Sequence, residues 1–426
     1  MLRLRRFTGF RGALPRYLSL RQSQYWTTDR LHQYVETHLS ESLIAATRIP
    51  FYACRLDLKL RGQERLAKLP ILPRAEIPAL AASVRSLHPF PSALLTSRTS
   101  GSTGMPVSFF FDESHQAGRF AARARYLLEN GWNPFLRSAW IMNVAMDSPD
   151  SELTRGSRFL GSRFFPHTSD LELQAKWLRE MDPHYLYAYP VNFEGLVEIF
   201  GGQHRPLRSL RKIFSGSEVL NDSLRQKLID CFGVEVADNY GSTEAFLAWE
   251  CCDGSYHVNA EHVIVELVGD DGKPASPGTL GRVLVTTLEN RVMPLVRYEI
   301  GDYAIAADRA CACGRTLPCV GKIIGRGVNL FVGIDGKRFV PWDLFRPLKD
   351  RGWIKQYQIA QTAIDRFQIR YVADRPLVPD DEADVVRHFE AVLHYTSTLE
   401  FERLDQIARA PSGKFMTAIC EIASGA

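Results

Sequence analysis

The chain has 426 residues, a formal net charge of +4, 45% hydrophobic residues and 23% charged residues. That length favours two domains over one core. The small charge, with no basic stripe interleaved with aromatics, argues against a nucleic-acid partner, and no apolar run approaches the roughly 20 residues that cross a bilayer. Small-molecule partners are expected, with no nucleic acid and no membrane.

The first 28 residues carry Arg3, Arg5, Arg6, Arg11, Arg16 and Arg21 with no acid before Asp29. This reads as a basic helix or arm lying on the domain; organellar transit peptides share the composition. Eight cysteines without a secretory signal suggest a reducing compartment, so the cytoplasm is expected. Residues 29–47 place Leu31, Tyr34, Val35, Leu39, Leu43 and Ile44 at helical spacing, which predicts an amphipathic helix ending before Pro50. Residues 66–73 read as a linker into a short helix over 74–80.

Residues 96–106 combine Gly101 and Gly104 with a run of hydroxyl residues, between an apolar run ending at Leu95 and a β-prone run over 107–111. This predicts a loop joining two strands. Glycine permits close approach, so such a loop can bring N–H groups and hydroxyls to phosphate oxygens, and it reads equally as a polar hairpin loop. No Gly-Lys-Ser/Thr follows, so it is not a Walker loop. A helix over 113–130 and a buried strand over 138–144 come next. Strands over 184–188, 212–215 and 234–239 then alternate with helices over 171–181, 192–200 and 223–232. That alternation predicts βαβ units and a largely parallel sheet.

Beyond Tyr240 the pattern turns to hairpins, with strands over 263–268 and 281–286 about an Asp-Asp-Gly turn. The tail has strands over 356–361 and 367–372, a helix over 381–393 and a last strand-like piece over 417–422. The fold class expected is α/β. A large N-terminal domain, residues 1–325, has mostly parallel sheets and a β-hairpin subdomain; residues 326–426 form a small α+β domain.

Five segments stand in order: the hydroxyl-rich loop, Tyr240-Gly241-Ser242-Thr243-Glu244, Arg297-Tyr298-Glu299-Ile300-Gly301-Asp302, Gly325-Arg326, and Pro411-Ser412-Gly413-Lys414-Phe415. Together they resemble the motifs of the adenylate-forming superfamily (acyl-CoA synthetases, peptide adenylation domains and luciferases). Within it the chain looks most like the phenylacetate-CoA ligase branch, which includes deazaflavin-adenylating synthetases and capsule-cluster relatives. The resemblance covers the chain from about residue 25 onward.

It implies ATP-dependent activation of a carboxylic acid to acyl-AMP, then transfer to coenzyme A. Ser100, Gly101, Ser102, Thr103 and Gly104 would cradle phosphates. Glu244 would hold Mg²⁺, and Thr243 would place its hydroxyl on the α-phosphate. Ser217 and Tyr240 would lie against adenine, Asp302 would bind ribose, and Arg326 would complete the nucleotide site. Lys414, on a mobile small domain, would bridge carboxylate and α-phosphate. Residues 187–190 and 245–246 are implied as walls of the acid pocket and suggest an aryl acid. Relatives are often homodimers. Many carry an acidic hinge pair after Gly-Arg; here Gly327-Val328-Asn329 follows, and Gly327 can still serve a hinge. An adenylyltransferase or amide-forming enzyme without coenzyme A, and a non-catalytic nucleotide-binding protein, are the alternatives.

Cysteine spacing forms a second constellation. Cys311 and Cys313 form a Cys-x-Cys, and Cys251 stands six residues before His257. Three thiolates and an imidazole make a closed tetrahedral site of the structural zinc type. Cys252 is an alternative to Cys251; Cys54, Cys231, Cys319 and Cys420 read as ordinary cysteines.

Overall fold

The computed structural model describes residues 2–53, 55–56, 64–87, 95–98, 107–143, 161–327, 330–408 and 416–422. The chain divides into two compact units. One comprises residues 1–300 with 304–323, the other residues 301–303 with 324–426.

In the larger unit a five-stranded sheet has the order Ser162–Pro166, Ser138–Met142, Tyr185–Ala188, Lys212–Ser215, Glu235–Ala237, and every neighbour is parallel. Its strands are short and mostly buried on both faces, as parallel strands covered by helices must be. Three helices cover one face: Leu171–Met181, Pro190–Phe200 and Asp222–Phe232. They contribute Leu178, Phe193, Leu196, Phe200, Leu228 and Phe232 to one core with Leu186 and Ile213. Each start has a local cause. Asp170 accepts from the N–H groups of Glu172 and Leu173, Pro190 occupies a first-turn position, and Asn221 accepts from Leu224 N–H.

A seven-stranded sheet follows, ordered Val263–Val268, Leu280–Thr287, Tyr298–Ala306, Cys319–Arg326, Tyr256–Val258, Phe246–Glu250, Asn239–Gly241. The pairs with described registers are antiparallel. The run read as one strand over 234–239 is therefore two. Glu235–Ala237 belongs to the parallel sheet and Asn239–Gly241 to the antiparallel one, with the chain crossing at Asp238. Buried Asp238 is held there by its N–H to Glu250 Oε2 (2.8 Å) and by Tyr256 O–H to its Oδ2 (2.6 Å).

The N-terminal segment is a helix, Leu2–Ser23, lying on Glu113–Glu129. Arg125 of the latter, fully buried, donates to both oxygens of Glu261 at 2.8 and 3.0 Å and to Leu20 O. Thr28–Thr47 is the amphipathic helix that apolar spacing predicted, and Leu31, Val35, Leu39 and Leu43 are its buried face. Strands Leu95–Arg98 and Ser108–Phe111 pair antiparallel, so Thr96, Ser97 and Arg98, expected in the loop, lie in a strand, and the rest of the expected loop up to residue 106 lies outside the described residues. No helix among the described residues is long and apolar enough to cross a membrane.

The smaller unit has a mixed four-stranded sheet, Thr398–Arg403, Arg366–Ala373, Ile354–Ala363, Ala418–Cys420, packed on helix Pro379–Leu393 through Phe367, Ile369, Val385 and Phe389. It is α+β.

Candidate functional site

The carboxyl ends of the parallel strands gather the first set of residues. Ligands of open α/β sheets bind beyond these ends. Ser138–Met142 ends at Asn143, Tyr185–Ala188 at Tyr189, and Lys212–Ser215 at Gly216-Ser217. Asn143 N–H donates to Tyr189 Oη at 3.0 Å, and Tyr126 O–H bonds Ser215 O (3.2 Å) and Ala237 O (2.9 Å). Ser217 has φ +70°, a left-handed conformation unusual for a non-glycine residue. Gly216 lies so close to Asn239 that a Cβ would meet its Nδ2 at 2.2 Å, while that Nδ2 donates to Ser215 O at 2.5 Å. Ser217 and the strand bearing Tyr240 are thus tied through Asn239. Tyr240 is 7% exposed.

After Gly241 the chain makes the turn Ser242–Ala245. Ser242 Oγ accepts from Glu244 N–H and Ala245 N–H, both at 3.2 Å, and Ser242 N–H donates to Ala245 O at 2.9 Å. Thr243 is half-buried and Glu244 is 2% exposed. His115 Nε2 bonds Glu244 O (2.9 Å) and Arg119 Nη2 donates to Ser242 O (3.2 Å). Burial pushes the Arg119 guanidinium down to about 10, opposed by the Glu244 carboxylate nearby. Tyr298 O–H lies against the same carboxylate, and burial and that charge push its phenol well above the usual value. Arg74 Nη1 donates to Tyr298 Oη at 3.0 Å. Burial likewise holds His115 well below the ordinary histidine range, with His262 and Arg119 adding to it. A single buried carboxylate beside a hydroxyl suits Mg²⁺, which keeps waters and substrate phosphates in most of its octahedron.

In the smaller unit Asp302, 9% exposed, pairs with Arg326 (Nε to Oδ1, 3.1 Å). Gly301 before it has φ +86°, and a Cβ there would press on Arg326 Nη1 at 3.2 Å. Gly327 packs on the Tyr303 ring, where a Cβ would meet Cε2 at 2.8 Å. Its small size is set by that contact.

The four predicted cysteine and histidine ligands come together. Their donor atoms all lie within 4.8 Å of one another. The Cys251–Gly254 turn links Phe246–Glu250 to Tyr256–Val258, which brings Cys251 beside His257. His257 pairs in register with Cys319, so the loop before Cys319 carries Cys311 and Cys313 over the same point. Cys251 Sγ to Cys311 Sγ is 3.5 Å and His257 Nε2 to Cys313 Sγ is 3.2 Å. Ligands about 2.3 Å (sulfur) and 2.0 Å (nitrogen) from a tetrahedral ion stand roughly 3.5–3.8 Å apart, so this donor set fits zinc with little adjustment. His257 Nδ1 faces Leu317 O at 3.3 Å. A carbonyl only accepts, so Nδ1 carries the proton and Nε2 offers its lone pair to the cluster. Burial pushes the Cys251 thiol up to about 12, so a thiolate there needs a cation. Cys252 is exposed and outside the group, and Cys319 lies on the Nδ1 side of His257 at 3.4 Å.

Tyr187, Tyr189 and Phe246 share one aromatic cluster with Trp140 and Phe164. Arg123 stands over the rings of Tyr187 (5.1 Å) and Trp140 (5.7 Å). Sequence reasoning missed His115, Arg119, Arg123 and Arg74. They bear on the site through folding, from positions far along the chain, and no local spacing marks them. Ser100, Gly101, Ser102, Thr103, Gly104 and Lys414 lie outside the described residues.

The AMP-binding enzyme family matches residues 153–293. A phenylacetate-coenzyme A ligase of Thermus thermophilus is 26% identical over 308 residues, 67% of each chain. One of Escherichia coli is 26% identical over 253 residues, 55% of this chain and 57% of that one. Among solved structures, a 2-hydroxyisobutyryl-CoA ligase in the postadenylation state superposes with TM-score 0.74 at 17% identity, covering 94% of this chain and 93% of that one. In sequence the chain is phenylacetate-CoA ligase-like, with an AMP-binding enzyme match over residues 153–293, and it shares the fold of an acyl-CoA ligase.

Proposed function

We propose that the chain is an acid–CoA ligase. A carboxylate oxygen attacks the α-phosphorus of ATP, the bond to the β-phosphate oxygen breaks, and pyrophosphate leaves acyl-AMP. The thiol of coenzyme A then attacks the acyl carbonyl, losing its proton, and AMP departs. Attack of one anion on another needs positive charge and N–H donors gathered at the phosphates. Glu244 would hold Mg²⁺, which when bound neutralises phosphate charge. Thr243 would contact the α-phosphate, with the residue 100–104 loop around the phosphates. Ser217 and Tyr240 would line the adenine, Asp302 would accept from the ribose hydroxyls, and Arg326 would orient Asp302. Residues 326–426, the small domain, would supply Lys414 to the developing charge.

The observation that carries this reading is the Ser242–Ala245 turn, a prebuilt setting for Thr243 and a buried Glu244 between the paired strands Asn239–Gly241 and Phe246–Glu250. Support for an aryl acid comes from the aromatic cluster at the strand ends. The test is pyrophosphate release against aryl, aliphatic and amino acids with and without coenzyme A, with products identified by mass. A CoA thioester of an aryl acid is the expected outcome; acyl-AMP alone would indicate another acceptor.

We also infer that Cys251, His257, Cys311 and Cys313 hold a structural zinc ion. Its support is the mutual approach of four donors from two distant segments and the tautomer set at His257.

A further inference from the structure

The Ser242–Ala245 turn is gripped from outside by two side chains of one helix. His115 and Arg119 are four residues apart on Glu113–Glu129, so they share a face. Their contacts fall on the two carbonyls that flank Thr243: His115 Nε2 on Glu244 O at 2.9 Å and Arg119 Nη2 on Ser242 O at 3.2 Å. A carbonyl oxygen only accepts, so both side chains donate and the His115 proton sits on Nε2.

The rest of His115 is arranged around that one bond. Its ring is fully buried between Phe111 (centroids 5.1 Å, planes 13° apart) and His262 (4.7 Å, 25°). His262 turns its Nδ1 to Glu289 at 2.7 Å, and Glu289 pairs with Arg16 of the N-terminal helix. The remaining His115 nitrogen, Nδ1, is buried with no hydrogen-bond partner. A phenyl ring would fill this stack without that desolvation penalty. Space-filling therefore does not account for an imidazole here, whereas the donor to Glu244 O does.

We propose that His115 is a positioning residue for Glu244. Its N–H fixes the backbone of that residue while Arg119 fixes the other side of the turn, so Thr243 and the Glu244 carboxylate are presented in one orientation to a metal–nucleotide complex. The proposal rests on the reading of Glu244 as the acid that holds the cation.

The test uses the full chain, Mn²⁺ in place of Mg²⁺, and ATP without any acid, so no turnover is needed. Protein-dependent Mn²⁺·ATP binding is followed by electron paramagnetic resonance for wild type, His115→Phe, His115→Gln and Glu244→Gln, alongside thermal midpoints. His115→Phe keeps the stack and loses the donor; it is expected to weaken binding about tenfold, the worth of one good hydrogen bond. His115→Gln, which can still donate, should recover most of that loss. Wild-type affinity in His115→Phe, or equal loss in both variants, would overturn the positioning role. Wild-type affinity in Glu244→Gln would instead overturn the assignment of Glu244 itself, and the proposal with it.

Discussion

One strand, Phe246–Glu250, begins at the Ser242–Ala245 turn and ends at the cysteine and histidine cluster, yet its two ends are held in opposite ways. At the first end the polar groups are tied by hydrogen bonds to Ser242 Oγ and from His115 and Arg119. At the second, three thiols and an imidazole lie within 4.8 Å of one another, and burial drives Cys251 toward its neutral form. The turn is organised by the protein alone. The cluster brings together groups whose mutual attraction is weak until a cation makes them thiolates. A turn preorganised in this way needs a rigid frame around it, and the cluster lies where it would staple the loop before Cys319 to that frame.

The largest effect that would break this contrast is at the cluster. Replacing Cys311 and Cys313 by serine should abolish bound zinc and lower the thermal midpoint by about 10 °C, at roughly 2 °C per kcal/mol for a chain of this size. Metal analysis and melting curves with and without chelator read both quantities. Purified wild-type protein that is metal-free and indifferent to chelator would remove the zinc from the account.

A somewhat smaller effect is expected at the sheet crossing. Burial raises the Asp238 carboxyl to about 7, with Glu250 adding to it against the hydrogen bond from Tyr256. A group whose folded value exceeds its unfolded value of 3.8 holds its proton more tightly when folded. Its stabilisation is complete below about pH 4 and is lost as pH rises through about 7. At about 1.4 kcal/mol per unit this amounts to at most on the order of 4 kcal/mol. Wild-type stability should therefore fall between pH 4.5 and 7.5 on account of this group, and Asp238→Asn should flatten that slope. An unchanged slope in denaturant titrations across that range would show that Asp238 is ionised throughout.

The smallest effect sharpens the nucleotide side. In Gly216→Ala the new methyl collides with Asn239, so Asn239 must leave Ser215 O. A cost of about 1–3 kcal/mol in stability is expected, as for other overpacked sites. Weaker ATP binding should accompany it, because Ser217 and Tyr240 are tied through the same Asn239. Isothermal titration with ATP would show whether stability changes without binding, which would separate Ser217 from the nucleotide.

Much of the architecture was legible in the amino-acid order. Apolar spacing marked Thr28–Thr47, and the alternation of short buried strands with helices marked the parallel sheet. The cysteine and histidine group was legible too, because a hairpin and a Cys-x-Cys are local patterns. Other features were hidden for physical reasons. Val234, Val236 and Ala237 before Asp238 and Tyr240 after it read as one β-prone stretch, and period alone does not reveal that the chain changes sheets there. Ser162–Pro166 is an edge strand with partly exposed side chains, so it lacks the buried run that marked its neighbours. His115 lies 129 residues from the carbonyl it holds, and Arg119 123 residues from its own, distances that only the folded chain closes.

The central claim is that the Ser242–Ala245 turn is an adenylation centre serving acid activation. Its most direct test is acid-dependent pyrophosphate release by wild type, Glu244→Gln and Lys414→Ala, each with its thermal midpoint. With a substrate acid at saturation, both variants are expected to release pyrophosphate about 10²–10³-fold more slowly while melting within a few degrees of wild type. Wild-type rates in the Glu244→Gln variant would contradict the account.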